Sequence, residues 1–218
     1  MDETMLVNRA QAGEMDGFNG LVLMYQDTAY HLALRLLSDE ESAEDAVQTA
    51  LLSAYRCLHS FRGGSFKAWL LRMVVNACYD EMRRRKRRQF IPLEPVDDDG
   101  EPIESPDWMA DDSDSPEMMA EQSEINRVLR ACLRELPAEF RTAVALIDLC
   151  GLNYEEAAQV TGTPMGTVKS RLARGRSRIR GKLRQRMPEL FEQVREAGGS
   201  PILYNRPAAS PVRYVNAI

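Results

Sequence analysis

Residues 153–178 read NYEEAAQVTGTPMGTVKSRLARGRSR, and this stretch decides the fold. Asn153 followed three residues later by Glu156 has the spacing of a capping box. It opens a short helix that turns Ala157, Ala158 and Val160 inward. Thr161-Gly162 is a turn signal; Thr163 is placed as an N-cap, and Pro164 suits the first position of a new helix running from about 165 to 185. Helix, tight glycine turn, helix is the arrangement whose second helix enters the major groove of DNA. The faces of that second helix agree. Val168, Leu172, Ile179 and Leu183 form an apolar stripe, while Thr167, Ser170, Arg171, Arg174 and Arg178 share another face. Short hydroxyls and guanidinium groups suit phosphates and guanine edges.

Upstream, the periodicity of Ile125, Val128, Leu129, Cys132, Leu133 and Leu136 predicts one helix. A second follows Pro137, burying Phe140, Val144 and Ile147 and stopping at Gly151. Before these lies a segment of another kind. Residues 94–124 carry 13 acids and no base, with five prolines scattered over 91–123. Such a composition buries too little apolar surface to offset its ordering entropy and extends by self-repulsion, so 91–123 reads as a flexible acidic linker. The net charge of −5 is therefore misleading, since residues 125–187 hold 13 bases against 5 acids. An acidic tether joins a balanced first domain to a basic second one.

Residues 1–90 read as helices throughout. Phe18, Leu21, Val22 and Tyr25 mark one buried face, and a second helix spans about Tyr30 to Leu37. A third begins near Ser42, taken as its N-cap, and exposes Glu44, Asp45 and Gln48, an acidic face that can serve protein docking. The loop at 61–65 precedes a long helix from about Phe66 to Arg88 with an apolar stripe of Leu70, Met73, Val74 and Ala77. Arg72, Asn76, Tyr79 and Arg83 line up on another face, with Trp69 beside them. Aromatic and basic groups next to a loop suit unstacked single-stranded bases. The whole chain is expected to be all-α: two small helical domains, 1–90 and 124–187, with the linker at 91–123 and an extension at 188–218. In that extension Ile202, Leu203, Tyr204 and Val212–Val215 lie among prolines, which motivates a partner-binding arm.

Other classes are excluded on the same reading. No run of about 18 apolar residues exists for a membrane span, and the start Met1-Asp2-Glu3-Thr4 is not a secretory leader, so a cytoplasmic protein is expected. Cys57, Cys78, Cys132 and Cys150 are far apart, and Cys57-x-His59 has no partner spacing, so no metal or other cofactor is expected. Two histidines, no phosphate-cradling glycine loop and no nucleophile motif argue against an enzyme.

Residues 45–48 (DAVQ) with the helix to Phe61, and residues 66–76 (FKAWLLRMVVN), resemble region 2 of the extracytoplasmic-function (ECF) sigma factors. Residues 136–141 (LPAEFR), 151–158 (GLNYEEAA) and 164–176 (PMGTVKSRLARGR) resemble region 4 of that family. The resemblance implies a non-catalytic subunit that binds core RNA polymerase and directs promoter recognition. It implies that Glu44, Asp45 and Gln48 meet the clamp helices of the polymerase β′ subunit, with the flap of the β subunit as a further contact. It implies that the loop ending at Phe66, with Trp69, Arg72, Asn76, Tyr79 and Arg83, holds the −10 strand. Thr167, Lys169, Ser170, Arg171, Arg174, Arg176 and Arg178 would read the −35 element. An anti-sigma factor is the further partner implied, together with promoter DNA. The rival reading is a stand-alone helix-turn-helix transcriptional regulator.

Overall fold

The computed structural model describes residues 2–88 and 127–188, and among these every regular element is helical. The acidic segment 91–123 and all but the first residue of 188–218 lie outside the described residues. The first domain holds α1 (Glu3–Gln11), α2 (Met15–Leu37), α3 (Glu40–Cys57) with a 3-10 turn at Leu58–Ser60, and α4 (Phe66–Arg88). The second holds α5 (residues 127–134), α6 (Ala138–Val144) continuing into a π turn (Ala145–Leu149), α7 (Tyr154–Thr161) and α8 (Met165–Arg186).

Two expectations for the first domain are corrected. Phe18–Tyr25 and Tyr30–Leu37 belong to one continuous helix, α2, which no proline interrupts. Buried Ala29 joins the two apolar runs, so packing overrides the polar Gln26-Asp27-Thr28 stretch. The N-cap of α3 is Asp39, not Ser42: the Asp39 carboxylate accepts the Ser42 N–H at 3.0 Å. The Ser42 hydroxyl, then this N–H bond, hold the Asp39 carboxyl below the usual carboxylate range, with Arg85 acting in the same direction.

α1 crosses α2 at glycines. A Cβ on Gly17 would stand 2.6 Å from the Ala10 backbone nitrogen, and one on Gly20 would stand 2.6 Å from Leu6 Cδ2. α4 then packs on α2 and α3. Near its start Phe66 is 1% exposed, ringed by Tyr25, Phe61 and Trp69 at centroid distances of 6.0, 5.6 and 5.4 Å. The apolar face of α4 is wider than the stripe predicts: Leu70 and Val74 are buried, but so are Leu71, Val75 and Cys78. The side of Arg72 and Asn76 stays exposed, and the second domain supplies the additional cover.

α4 packs against α7, and α2 against α6 and the π turn, so one core runs through both domains. Polar bonds cross this seam. Arg141 Nη1 donates to the Leu36 carbonyl at 2.8 Å, and Lys67 Nζ donates to the Cys150 carbonyl. Each cation therefore meets a carbonyl at the C-terminal end of a helix in the other domain, where the backbone lacks intrahelical donors and carries partial negative charge. The Tyr79 and Thr142 hydroxyls lie 3.0 Å apart. The seam also has a cost: Arg35 and Arg141 each keep a buried Nε without a partner, and burial beside Arg130 pulls the Arg35 pKa down to about 10.

Candidate nucleic-acid interface

The helix-turn-helix forms for local reasons. Asn153 accepts the Glu156 N–H and Glu156 accepts the Asn153 N–H, both at 2.9 Å, which closes the capping box. Gly162 ends α7 at φ +62°, a left-handed position open to glycine at little cost. α8 begins one residue later than the sequence indicates, with Pro164 at the cap position. The Thr163 hydroxyl bonds that of Thr161 at 2.8 Å, not the helix start. Val168, Leu172 and Ile179 are buried against α6 and α7, as their spacing predicts, and Gly175 completes their stripe.

Opposite that stripe the side chains face out. Lys169, Ser170, Arg174 and Arg178 are exposed, and Thr167 and Arg171 are half-buried. Two cations are steadied by rings: Lys169 Nζ lies 5.2 Å from the Tyr154 ring centroid, and the Arg178 guanidinium 4.9 Å from that of Phe140. Arg176, which the family resemblance places among the −35 readers, does not join that face. It turns inward, where Nε donates to Asp148 Oδ2 at 3.1 Å and Nη2 donates to Oδ1. Asp148 has 0% side-chain exposure. Burial pushes its carboxyl above the ordinary range by more than Arg176 pulls it down. Sequence reading missed Asp148; its signal is a lone acid within the apolar run Val144–Leu149.

The α4 face divides. Arg72 and Asn76 are exposed, and Arg83 is exposed while paired to Asp80 one turn away. Phe66 is core and has no free ring face for a base, which corrects its placement among strand-binding residues. Trp69 is half-buried with its ring against Phe61 and Phe66. Tyr79 points into the seam at Thr142. Of the basic run after Asp80, Arg85 is tied back to Asp39 at 2.7 Å and to Ser42, so it binds α4 to the start of α3. On α3, Glu44, Asp45 and Gln48 are exposed, and Leu52 and Tyr55 extend the same stripe at 53% and 48% exposure. Cys78, Cys132 and Cys150 are buried, and among the described residues no cluster of metal-binding side chains occurs. No described helix is long and apolar enough to cross a membrane.

Two helical units, one carrying a helix-turn-helix and the other a basic and polar helix face beside an acidic one, define a helix-turn-helix DNA-binding protein with a second helical domain. The family models place both units. Sigma-70 region 2 matches residues 21–88, and sigma-70 region 4 matches residues 126–179. The chain is 37% identical over 180 residues to the ECF RNA polymerase sigma factor SigE of Mycolicibacterium smegmatis, covering 83% of this chain and 66% of that relative. It is 35% identical to the RNA polymerase sigma-H factor of Pseudomonas aeruginosa, covering 81% of this chain and 91% of the relative. The structure of the sigma factor RpoE in complex with the anti-sigma factor NepR from Bartonella quintana is also similar. There the TM-score is 0.60 at 30% identity, over 77% of this chain and 96% of that one. The chain belongs to the ECF group of the sigma-70 family. It directs transcription initiation as a non-enzymatic subunit of RNA polymerase, and the stand-alone regulator reading falls with that assignment.

Proposed function

We propose that this sigma factor reads the −35 element with the outward face of α8, through Thr167, Lys169, Ser170, Arg171, Arg174 and Arg178. Arg72, Asn76 and Arg83 on α4 engage the −10 strand, and Glu44, Asp45 and Gln48, with Leu52 and Tyr55 in line, meet the β′ clamp helices. Residues 124–187 contact the β flap. The observation that carries this reading is the separation of faces on α8: an apolar stripe against α6 and α7, and outward-facing hydroxyls and cations opposite. Control by an anti-sigma factor, acting in the cytoplasm, is part of the proposal, supported by the likeness to a sigma factor solved with its anti-sigma partner.

The closed seam gives this control a physical basis. By their numbering the two promoter elements lie about 25 base pairs apart, or ~85 Å of duplex at 3.4 Å per step. A compact body of about 150 residues is only ~40 Å across. The two domains must therefore part before both elements are engaged, and Tyr79 reaches DNA only after leaving Thr142. A partner that binds the closed form holds the protein silent. Run-off transcription with sigma-free core polymerase tests the proposal: promoter-specific initiation is expected, lost on combined Arg171→Ala and Arg174→Ala at −35-dependent promoters. Full −35 discrimination in that double variant would reassign the −35 face.

A further inference from the structure

α8 is held on α6 and the π turn that follows it by three contacts, of which the one at Arg176 has no part in the proposed DNA contacts. At Gly175 the two helices come so close that a Cβ would stand 2.7 Å from Val144 Cγ2 and 3.2 Å from the Phe140 carbonyl oxygen. At Arg176 the guanidinium forks onto both oxygens of Asp148, which is among the least exposed polar residues described. At Arg178 the guanidinium covers the Phe140 ring. Asp148 sits in the π turn, where an extra residue is accommodated between α6 and α7 and re-aims the side chains that follow.

A buried ion pair is a poor source of stability, because desolvating both charges cancels much of their attraction, and apolar replacements often serve the fold as well. What a forked guanidinium–carboxylate pair supplies is direction: two parallel bonds fix both distance and angle. Bases are read over hydrogen-bond distances with a narrow optimum. One residue of slippage would move the reading face by 1.5 Å and about 100°.

We infer that Asp148 and Arg176, seated beside Gly175, form a positioning lock that sets the roll and depth at which α8 presents its −35 face. Promoter discrimination then depends on two residues that do not touch DNA. The inference rests on the −35 reading of α8.

The test uses the full chain with core polymerase and a promoter library randomised over the −35 segment, with transcripts counted by sequencing. Asp148→Asn and Arg176→Gln are each expected to lower the ratio between the best and scrambled −35 sequences by about tenfold, broadly across positions, leaving −10 preference intact. The double variant is expected to be no worse than either single one, because both remove the same bond. Gly175→Ala, which changes no charge, is expected to flatten the same profile by pushing α8 off α6, and adding Val144→Ala to recover most of it. If Arg176→Gln lost preference at one base pair while Asp148→Asn kept the full profile, Arg176 would be a DNA contact and the lock would be refuted. Wild-type −35 profiles in all variants, with only lower melting temperatures, would also refute it. A wild-type protein without any −35 preference but with active initiation would remove the −35 reading and the lock with it.

Discussion

Removing one oxygen from the seam between the domains should open the protein measurably. Thr142 donates its only hydroxyl proton to the Ala138 carbonyl at 2.9 Å, so in the Tyr79–Thr142 contact at 3.0 Å the tyrosine must be the donor. Tyr79→Phe deletes that bond, keeps the ring and leaves the Thr142 donor satisfied. The net worth of such a bond is about 0.5–1.5 kcal/mol, so the closed-to-open ratio should fall by roughly two- to twelvefold. The seam's remaining contacts, Arg141 to Leu36 and Lys67 to Cys150, stay in place, so a shift and not a collapse is expected. Energy transfer between dyes on Cys57 and on a Ser177→Cys variant reports the equilibrium. Cys57 is exposed, whereas Cys78, Cys132 and Cys150 are buried, and burial pushes the Cys78 and Cys150 thiols up to about 12, so they should resist labelling. Lower transfer efficiency in Tyr79→Phe, at an unchanged melting temperature of each domain, is the expected result. An unchanged transfer efficiency, together with an undiminished response in a control that breaks the seam by Leu71→Asp, would refute the role given to the Tyr79 bond.

Arg174→Ala should cost about 1–3 kcal/mol in −35 discrimination if its guanidinium meets a base edge, read from competition between promoter variants at fixed salt. A uniform loss across sequences with a shallower salt dependence would move Arg174 to the phosphates. Phe66→Ala should destabilise the first domain by about 3–5 kcal/mol, because the ring is buried among three others, so any loss of transcription should track the melting temperature. A stable Phe66→Ala protein with a specific −10 defect would restore Phe66 to the strand-binding surface. The Asp39 carboxyl is held below its unfolded value, so its ionised form stabilises the fold at pH above the ordinary carboxylate value of 3.8. That contribution is lost as pH falls through the lower folded value. Asp39→Asn should therefore lower the melting temperature slightly at pH 7 and lose the difference from wild type in strong acid.

Much of the DNA-reading unit is legible in the sequence because its determinants are local. The Asn153–Glu156 box, the left-handed Gly162 and the period of Val168, Leu172 and Ile179 each lie within a turn or two of what they control. The long helix Phe66–Arg88 is legible for the same reason. What covers a helix is a different matter. Leu71, Val75 and Cys78 widen the apolar face of α4, and periodicity alone does not say that a second domain helps to cover it. Arg174 and Arg176 lie about 200° apart on α8, with Arg176 on the flank of the apolar stripe; which group meets it there, Asp148 of the π turn, is set by tertiary packing alone. Phe66 and Tyr79 divide likewise between core and seam. The residues of this sigma factor determine its helices, its charge and the basic face of α8. Which of those residues remain free to meet DNA is decided in tertiary space, because a side chain's availability depends on partners dozens of residues away.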